Sequence, residues 1–324
     1  MNPALSYKPD FQNLKGIREG IGEEILHQAE NFPNLVVLTA NLKESTKVDK
    51  FAEKYPNRFF DVGVAEQNLA GISAGLALSG NIPFMTSYSV FSPGRNWDQI
   101  RVSICYSKAN VKIIGGHTGL RTGKDGATHQ ALEDIAITRV LPNLEVLTPL
   151  DYTQAKEAVK YAVLKKGPVY IRSYRDATPQ LFTKDHSFDL KKPQIIKEGK
   201  DLTVLSHGPV FFELLKAVEK IEKELGISVE VINVSSIKPL DTSIISQSLH
   251  KTKIGVSVED HQIAGGLGSA ILEKISEHVF IPFKIIAIND SFGESGTCEE
   301  LYEKYGISES KIKEKIIQFF KRNK

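Results

Sequence analysis

Apolar residues in this chain gather into short runs separated by amphipathic stretches. Asn34 to Ala40 reads N-L-V-V-L-T-A, the pattern of a buried strand that ends in polar residues. Arg58 to Val62, Ile82 to Thr86, Val111 to Gly115, Leu144 to Leu147 and Val169 to Arg172 repeat it. Between these runs the spacing turns helical, over Arg18 to Ala29, Ala65 to Leu78, Trp97 to Ser107 and Thr153 to Lys165. The helix over Ala65 to Leu78 (A-E-Q-N-L-A-G-I-S-A-G-L-A-L) is so rich in small residues that it can pack very closely on its neighbours. Strands alternating with helices predict a parallel α/β sheet.

The pattern breaks over Pro179 to Lys200, which is polar, charged and without period. It then restarts. Leu202 to Ser206, Val229 to Val234, Lys253 to Glu259 and Phe283 to Ile288 read as strands, and Phe211 to Leu225, Ser243 to His250 and Gly268 to Val279 as helices. The expected fold class is therefore α/β, with two consecutive parallel-sheet domains. They are placed at residues 10–180 and 201–324, joined by a linker at 181–200.

Composition narrows the classes. With 324 residues, 41% of them apolar, the chain can bury two sizeable cores. Lys+Arg is 41 against Asp+Glu 39, a balance without the basic footprint of a nucleic-acid binder. No apolar run approaches the roughly 20 residues that span a bilayer, and Met1 to Asp10 lack the apolar stretch of a signal peptide. Two cysteines, Cys105 and Cys298, cannot build a disulfide framework, and Cys105 reads as a small core residue. A cytoplasmic, membrane-free setting is the expectation.

Two segments carry candidate chemistry. Asp61-Val-Gly-Val-Ala-Glu66-Gln-Asn places one acid at a strand-to-helix junction. Such a residue can simply complement the helix dipole. The second segment, Gly115-Gly-His117-Thr-Gly-Leu-Arg-Thr-Gly-Lys-Asp125-Gly-Ala-Thr-His129-Gln, follows a predicted strand, so it lies outside the carboxyl end, where open α/β sheets bind ligands. Imidazoles exchange protons near neutral pH, and a carboxylate accepts hydrogen bonds from hydroxyls, which suits a polyhydroxylated substrate. The histidine spacing is wrong for a zinc site, and no thiolate is near in sequence. His207, His250 and His278 read as structural or exposed. His261 has no evident chemical role.

Taken in order, V-A-E-Q-N before a small-residue helix, then H-x-G…D-G-x-T-H-Q, then V-E-D-H-Q-I-A-G-G-L-G at Val258 to Gly268, the chain resembles the transketolase family over almost its whole length. The resemblance implies a thiamine diphosphate pyrimidine-binding domain followed by a transketolase C-terminal domain. Glu66 would hydrogen-bond the cofactor's aminopyrimidine and so favour loss of the thiazolium C2 proton. Tyr88 and Phe91 would contact the pyrimidine ring, although the family's first aromatic is usually Phe. Asn41 stands where the family has Asp, on the cofactor side. His117 and His129 would bind substrate oxygens and help move protons, and Asp125 would hold a hydroxyl. Arg18 and Ser45 match phosphate-contacting positions of the family. Arg172 and Arg175 straddle its late arginine, and the spacing from Pro168 favours Arg175.

The family holds its diphosphate through Mg²⁺ with a G-D-G…N motif, and this sequence contains none. A diphosphate needs a divalent cation or dense positive charge beside it. A partner subunit carrying the diphosphate and Mg²⁺ half is therefore expected, in a dimer of heterodimers that moves a two-carbon ketol unit between sugar phosphates. Three rivals stand beside this reading. A deoxyxylulose-phosphate synthase usually has Asp-Arg where this chain has His117-Thr118. The beta subunit of a 2-oxo acid dehydrogenase lacks the D-G-x-T-H loop. A silent regulatory subunit has no chemical reason to keep Glu66, His117, Asp125 and His129 together.

Overall fold

The computed structural model describes residues 9–183 and 189–324. Its first half runs β1 (Asp10–Gly16), α1 (Ile17–Asn31), β2 (Leu35–Thr39), α2 (Asp49–Lys54), β3 (Phe59–Asp61), α3 (Glu66–Leu78) and β4 (Ile82–Tyr88). Then come α4 (Trp97–Gln99), continued as a π-helical stretch over Ile100–Tyr106, β5 (Lys112–Gly116), α5 (Asp134–Arg139), β6 (Glu145–Leu147), α6 (Tyr152–Leu164), β7 (Val169–Arg172) and β8 (Ala177–Gln180). The second half holds β9 (Gln194–Lys197), β10 (Leu202–Ser206), α7 (Val210–Leu225), β11 (Val229–Asn233), β12 (Ser236–Lys238), α8 (Ser243–Thr252) and β13 (Gly255–Gln262). It closes with α9 (Leu267–Ile275), β14 (Phe283–Ile288), α10 (Cys298–Tyr305) and α11 (Glu309–Asn323). Local signals explain several boundaries: Asp151 caps α6 by accepting from the Gln154 amide at 2.8 Å, α7 ends at left-handed Gly226, and Thr297 with Glu300 forms a capping box on α10.

Two sheets organise these elements, in the orders β12-β6-β7-β5-β4-β2-β3 and β14-β13-β10-β11-β9. All pairings within them are parallel except those of the edge strands β12 and β9. Strands β2, β5, β10 and β11 are buried along their whole length, as expected when helices cover both faces of a parallel sheet.

Strand β9 lies inside the stretch 181–200 that the sequence reads as a linker. It pairs antiparallel with β11, so backbone pairing orders a polar segment that has no hydrophobic period. Strand β12 crosses the boundary in the other direction, leaving the second block to pair with β6 in the first sheet. The two blocks also share apolar contacts. One core joins Met85, Ile113 and Tyr170 to Leu205, Ile232 and Ile271. Cys105 lies buried in this core.

Among the described residues, no helix is long and apolar enough to cross a membrane.

Candidate active site

Most of the candidate residues follow the carboxyl ends of β2, β4, β5 and β7, neighbours in the first sheet, while Arg18 lies in the first turn of α1 and Glu66 opens α3 after β3. The strand β4 runs two residues further than its apolar run predicts, so Tyr88 is its last residue. Tyr88 is the centre of a ring cluster. Its ring lies 3.7 Å, centroid to centroid, from His117 at 30°. Phe91 stacks at 6.1 Å, and His129 meets Tyr88 and Phe91 edge-on at 5.9 and 5.4 Å. Four of the predicted residues thus converge from β4 and the loop after β5.

Glu66 opens α3 and is only 2% exposed. A buried carboxylate needs a partner, and here Arg95 Nη1 donates to its Oε2 at 2.7 Å. The Arg95 guanidinium also lies 4.5 Å from the Phe91 ring centroid, a cation–π contact that ties Glu66 to the ring cluster. Asn96 Nδ2 donates to the Glu66 carbonyl at 2.9 Å. Arg95 escaped the sequence reading. The only signal was its place four residues after Phe91, in a turn without periodicity.

His117 takes a left-handed backbone (φ 56), uncommon for a residue with a Cβ. Neighbours hold it there. Thr122 Oγ1 donates to the His117 carbonyl at 2.8 Å, and the Thr118 amide and hydroxyl both reach the Ser173 carbonyl, at 3.2 and 2.9 Å. Burial, then the cations Arg18 and Arg175, push the His117 pKa down to about 4. At neutral pH the ring is therefore uncharged, with one nitrogen to donate and one to accept.

Arg18, Ser45 and His117 line one small cavity with Thr46 and Tyr174. Arg18 Nη1 donates to the Ser45 carbonyl at 3.2 Å. Arg175 Nη1 donates to the Thr122 carbonyl and to Asp125 Oδ1, both at 2.9 Å. Asp125, expected to hold a substrate hydroxyl, therefore has an arginine on one oxygen. Both side chains remain about one-third exposed, at 33% and 37%. Asn41 lies beyond the end of β2 with a left-handed backbone (φ 60), and its amide donates to Asp61 Oδ1 at 2.9 Å. Asn41 is exposed.

Arg172 needs correcting. Expected as a substrate contact, it is completely buried. Its Nε donates to Asp134 Oδ2 at 2.9 Å, its Nη1 to Tyr174 at 2.7 Å, and its Nη2 to Asp134 Oδ1 and the Asp260 carbonyl at 3.0 and 2.9 Å. Every guanidinium nitrogen is engaged inside the protein. The reason is its position in a central strand, with the second domain packed over its side chain. Arg175, beyond the strand end, is the arginine that reaches the loop.

Four other histidines divide. His250 and His278 are exposed, whereas His207 and His261 are fully buried beside Arg172. Among the described residues, no group of three or more His, Cys, Asp or Glu side chains is arranged to hold a metal ion.

A buried carboxyl at a helix start, two aromatic rings and a neutral imidazole are groups chemically suited to a flat heteroaromatic ligand. Comparison with known proteins identifies the family. Residues 15–180 match the family model for the transketolase pyrimidine-binding domain and residues 191–312 that for the transketolase C-terminal domain. A solved structure described as a split-gene transketolase, inactive β4 tetramer, superposes with a TM-score of 0.88 at 41% identity, covering 95% of this chain and 99% of that one. The chain is 42% identical to the putative transketolase C-terminal section of Methanocaldococcus jannaschii, over 95% of this chain and 97% of that protein. It is 36% identical to the 6-deoxy-6-sulfo-D-fructose transketolase subunit SqwH of Clostridium sp., over 91% and 92% of the two chains. The chain belongs to the transketolase family, as the C-terminal subunit of the split form. Transketolases as a family depend on thiamine diphosphate.

Proposed function

We propose that this subunit supplies the pyrimidine-facing half of a thiamine diphosphate site, and that an N-terminal partner subunit supplies the diphosphate and Mg²⁺ half. The assembly is a dimer of heterodimers that transfers a two-carbon ketol unit from a ketose phosphate to an aldose phosphate. One observation carries this reading: the buried Glu66 carboxyl, tied through Arg95 to the ring cluster of Tyr88, Phe91, His117 and His129. The donor set fits an aminopyrimidine, which needs a carboxyl for its ring nitrogen and an aromatic wall for its face. The lack of a G-D-G…N motif in the sequence supports a metal half on the partner.

When bound, the cofactor supplies the electron sink that stabilises a carbanion. This chain's residues do the rest. Glu66 would share a proton with the pyrimidine ring nitrogen, with Arg95 holding Oε2 of the same carboxyl. His117, neutral at pH 7, donates to or accepts from a sugar oxygen, and half-buried His129 exchanges protons at the substrate carbonyl or hydroxyl. Arg18 and Arg175, both close enough to lower the His117 pKa, hold an anionic group of the sugar. Asp125, released from Arg175, takes a hydroxyl. A phosphate and a sulfonate both satisfy two arginines, so sugars carrying either group belong in the assay.

The test is co-expression with the partner subunit, followed by ketol transfer from xylulose 5-phosphate to ribose 5-phosphate with thiamine diphosphate and Mg²⁺. Full activity of this chain alone would refute the split site.

A further inference from the structure

The loop that carries His117, Asp125 and His129 spans residues 117–132 between β5 and α5, and only a short 3₁₀ turn, Leu120–Asp125, is regular within it. So long a segment needs outside support to keep three side chains in one geometry. Much of that support comes from the second domain. The Gln262 amide donates to the Leu132 carbonyl at 2.7 Å, and Gln130 Nε2 donates to the Glu294 carbonyl at 2.9 Å. Asp260, near the end of β13, accepts from the Leu120 amide at 2.9 Å on Oδ1 and 3.1 Å on Oδ2. The Leu120 side chain is itself fully buried in the core of the second domain.

Asp260 is a costly residue to place there. It is only 1% exposed, and a buried carboxylate is tolerated only where hydrogen bonds or charges compensate it. Its compensation is the nearby Arg172 charge, the Leu120 amide, the Tyr302 hydroxyl, which donates to Oδ2 at 3.0 Å, and the Arg121 charge. The loop is shaped to meet it. Gly119 has φ 72, and a Cβ at that residue would lie 2.2 Å from Asp260 Oδ2. Only glycine permits both the left-handed backbone and the approach. From Leu120 the constraint reaches His117 within one turn, because Thr122 Oγ1 closes back onto the His117 carbonyl.

We propose that Asp260 is a positioning residue for His117, and that the V-E-D-H-Q segment of the C-terminal domain serves to brace the substrate loop. The inference rests on the reading of His117 as a substrate-facing group.

The test uses the complex with the partner subunit and the variants Asp260→Ala, Asp260→Asn and Gly119→Ala. Amide hydrogen exchange over residues 117–126 should quicken by about tenfold in Asp260→Ala. The kcat/KM for ketol transfer should fall by about a hundredfold, the cost of roughly 1 Å of misplacement. Thiamine diphosphate affinity should fall by much less than turnover, because Asp260 braces the loop of His117 and not Glu66, Tyr88 or Phe91. Asp260→Asn keeps an acceptor for the Leu120 amide and should recover much of the loss. Gly119→Ala should reproduce it from the loop side, and it carries the test if Asp260→Ala does not fold. Unchanged exchange and unchanged kcat/KM in folded Asp260→Ala would overturn the proposal, as would a loss of cofactor affinity equal to the loss of turnover. Should the wild-type complex show no ketol transfer, the functional reading fails, while the exchange measurement still decides whether Asp260 braces the loop.

Discussion

Arg172 and Arg175 are three residues apart and should behave in opposite ways when replaced. Arg172 and Asp134 are 0% and 1% exposed and pair at 2.9 Å. Arg172→Met keeps most of the stem but leaves Asp134 buried with the Tyr170 hydroxyl, 2.7 Å away, as its remaining side-chain donor. Removing one partner of a buried ion pair costs about 3–5 kcal/mol, because the other charge is left without compensation. At about 2 °C per kcal/mol for a chain of this size, Tm should fall by roughly 6–10 °C. Replacing both partners, Arg172→Met with Asp134→Leu, should recover only part of that loss, since the buried charge is gone but the Tyr174 hydroxyl and Asp260 carbonyl still lack the guanidinium. Arg175 is partly exposed, and its pair with Asp125 is screened by solvent, so Arg175→Gln should change stability by less than about 1 kcal/mol. Its effect should appear in kinetics. A charged hydrogen bond to substrate contributes about 1.5–3 kcal/mol, so kcat/KM should fall by about ten- to a hundredfold. Thermal unfolding of the three variants and steady-state kinetics of the partnered enzyme give the answer. An Arg172→Met chain as stable as wild type, or an Arg175→Gln chain that unfolds, would refute this division.

Other residues make separate predictions. Glu66→Gln should lower kcat by at least about a hundredfold, the usual range for a proton-handling group, with circular dichroism unchanged. Undiminished turnover would remove Glu66 from the chemistry. Because the His117 pKa lies near 4, the pH–rate profile of kcat/KM should show no inflection from this residue between about pH 5.5 and 8. A step near the ordinary imidazole pKa of about 6.5 that disappears in His117→Asn would contradict its neutral state. His207 and His261 are held below the ordinary imidazole range, first by burial, His261 to about 4. Unfolded histidines take up protons below about pH 6.5, whereas these folded ones resist, so stability present above that pH is lost as pH falls toward 4. The slope is about 1.4 kcal/mol per pH unit for each histidine. Urea unfolding at pH 7, 6 and 5 should show it, and His207→Leu should flatten it by one residue's share. An identical slope in that variant would show that His207 does not contribute.

The parts of the fold that were legible share one physical cause. Strands β2, β5, β7 and β10 are buried on both faces, so burial writes itself into the sequence as an apolar run. Strands β1 and β9 carry no such mark. The residues of β1 are exposed apart from Gly16, and β1 is held by antiparallel pairing with β8. Strand β12 has three residues, too few for any period. At the site, Glu66, His117 and His129 could be singled out because each stands in a motif. The spacing from Pro168 already favoured Arg175, but the burial of Arg172 was not legible, because the Asp260 carbonyl that helps bury it is 88 positions away. The V-E-D-H-Q segment had no assignable role for the same reason. Its partner, the Leu120 amide, is 140 residues distant from Asp260 in the chain.

The central claim is that this chain holds the pyrimidine-facing half of a shared cofactor site. The most direct measurement is thiamine diphosphate-dependent ketol transfer by this chain alone, by the partner alone, and by the two mixed, each with wild-type and Glu66→Ala chains. The account predicts turnover only in the wild-type mixture, with an optimum at equal subunit ratio. Full turnover by this chain without the partner, or by the mixture carrying Glu66→Ala, would contradict it.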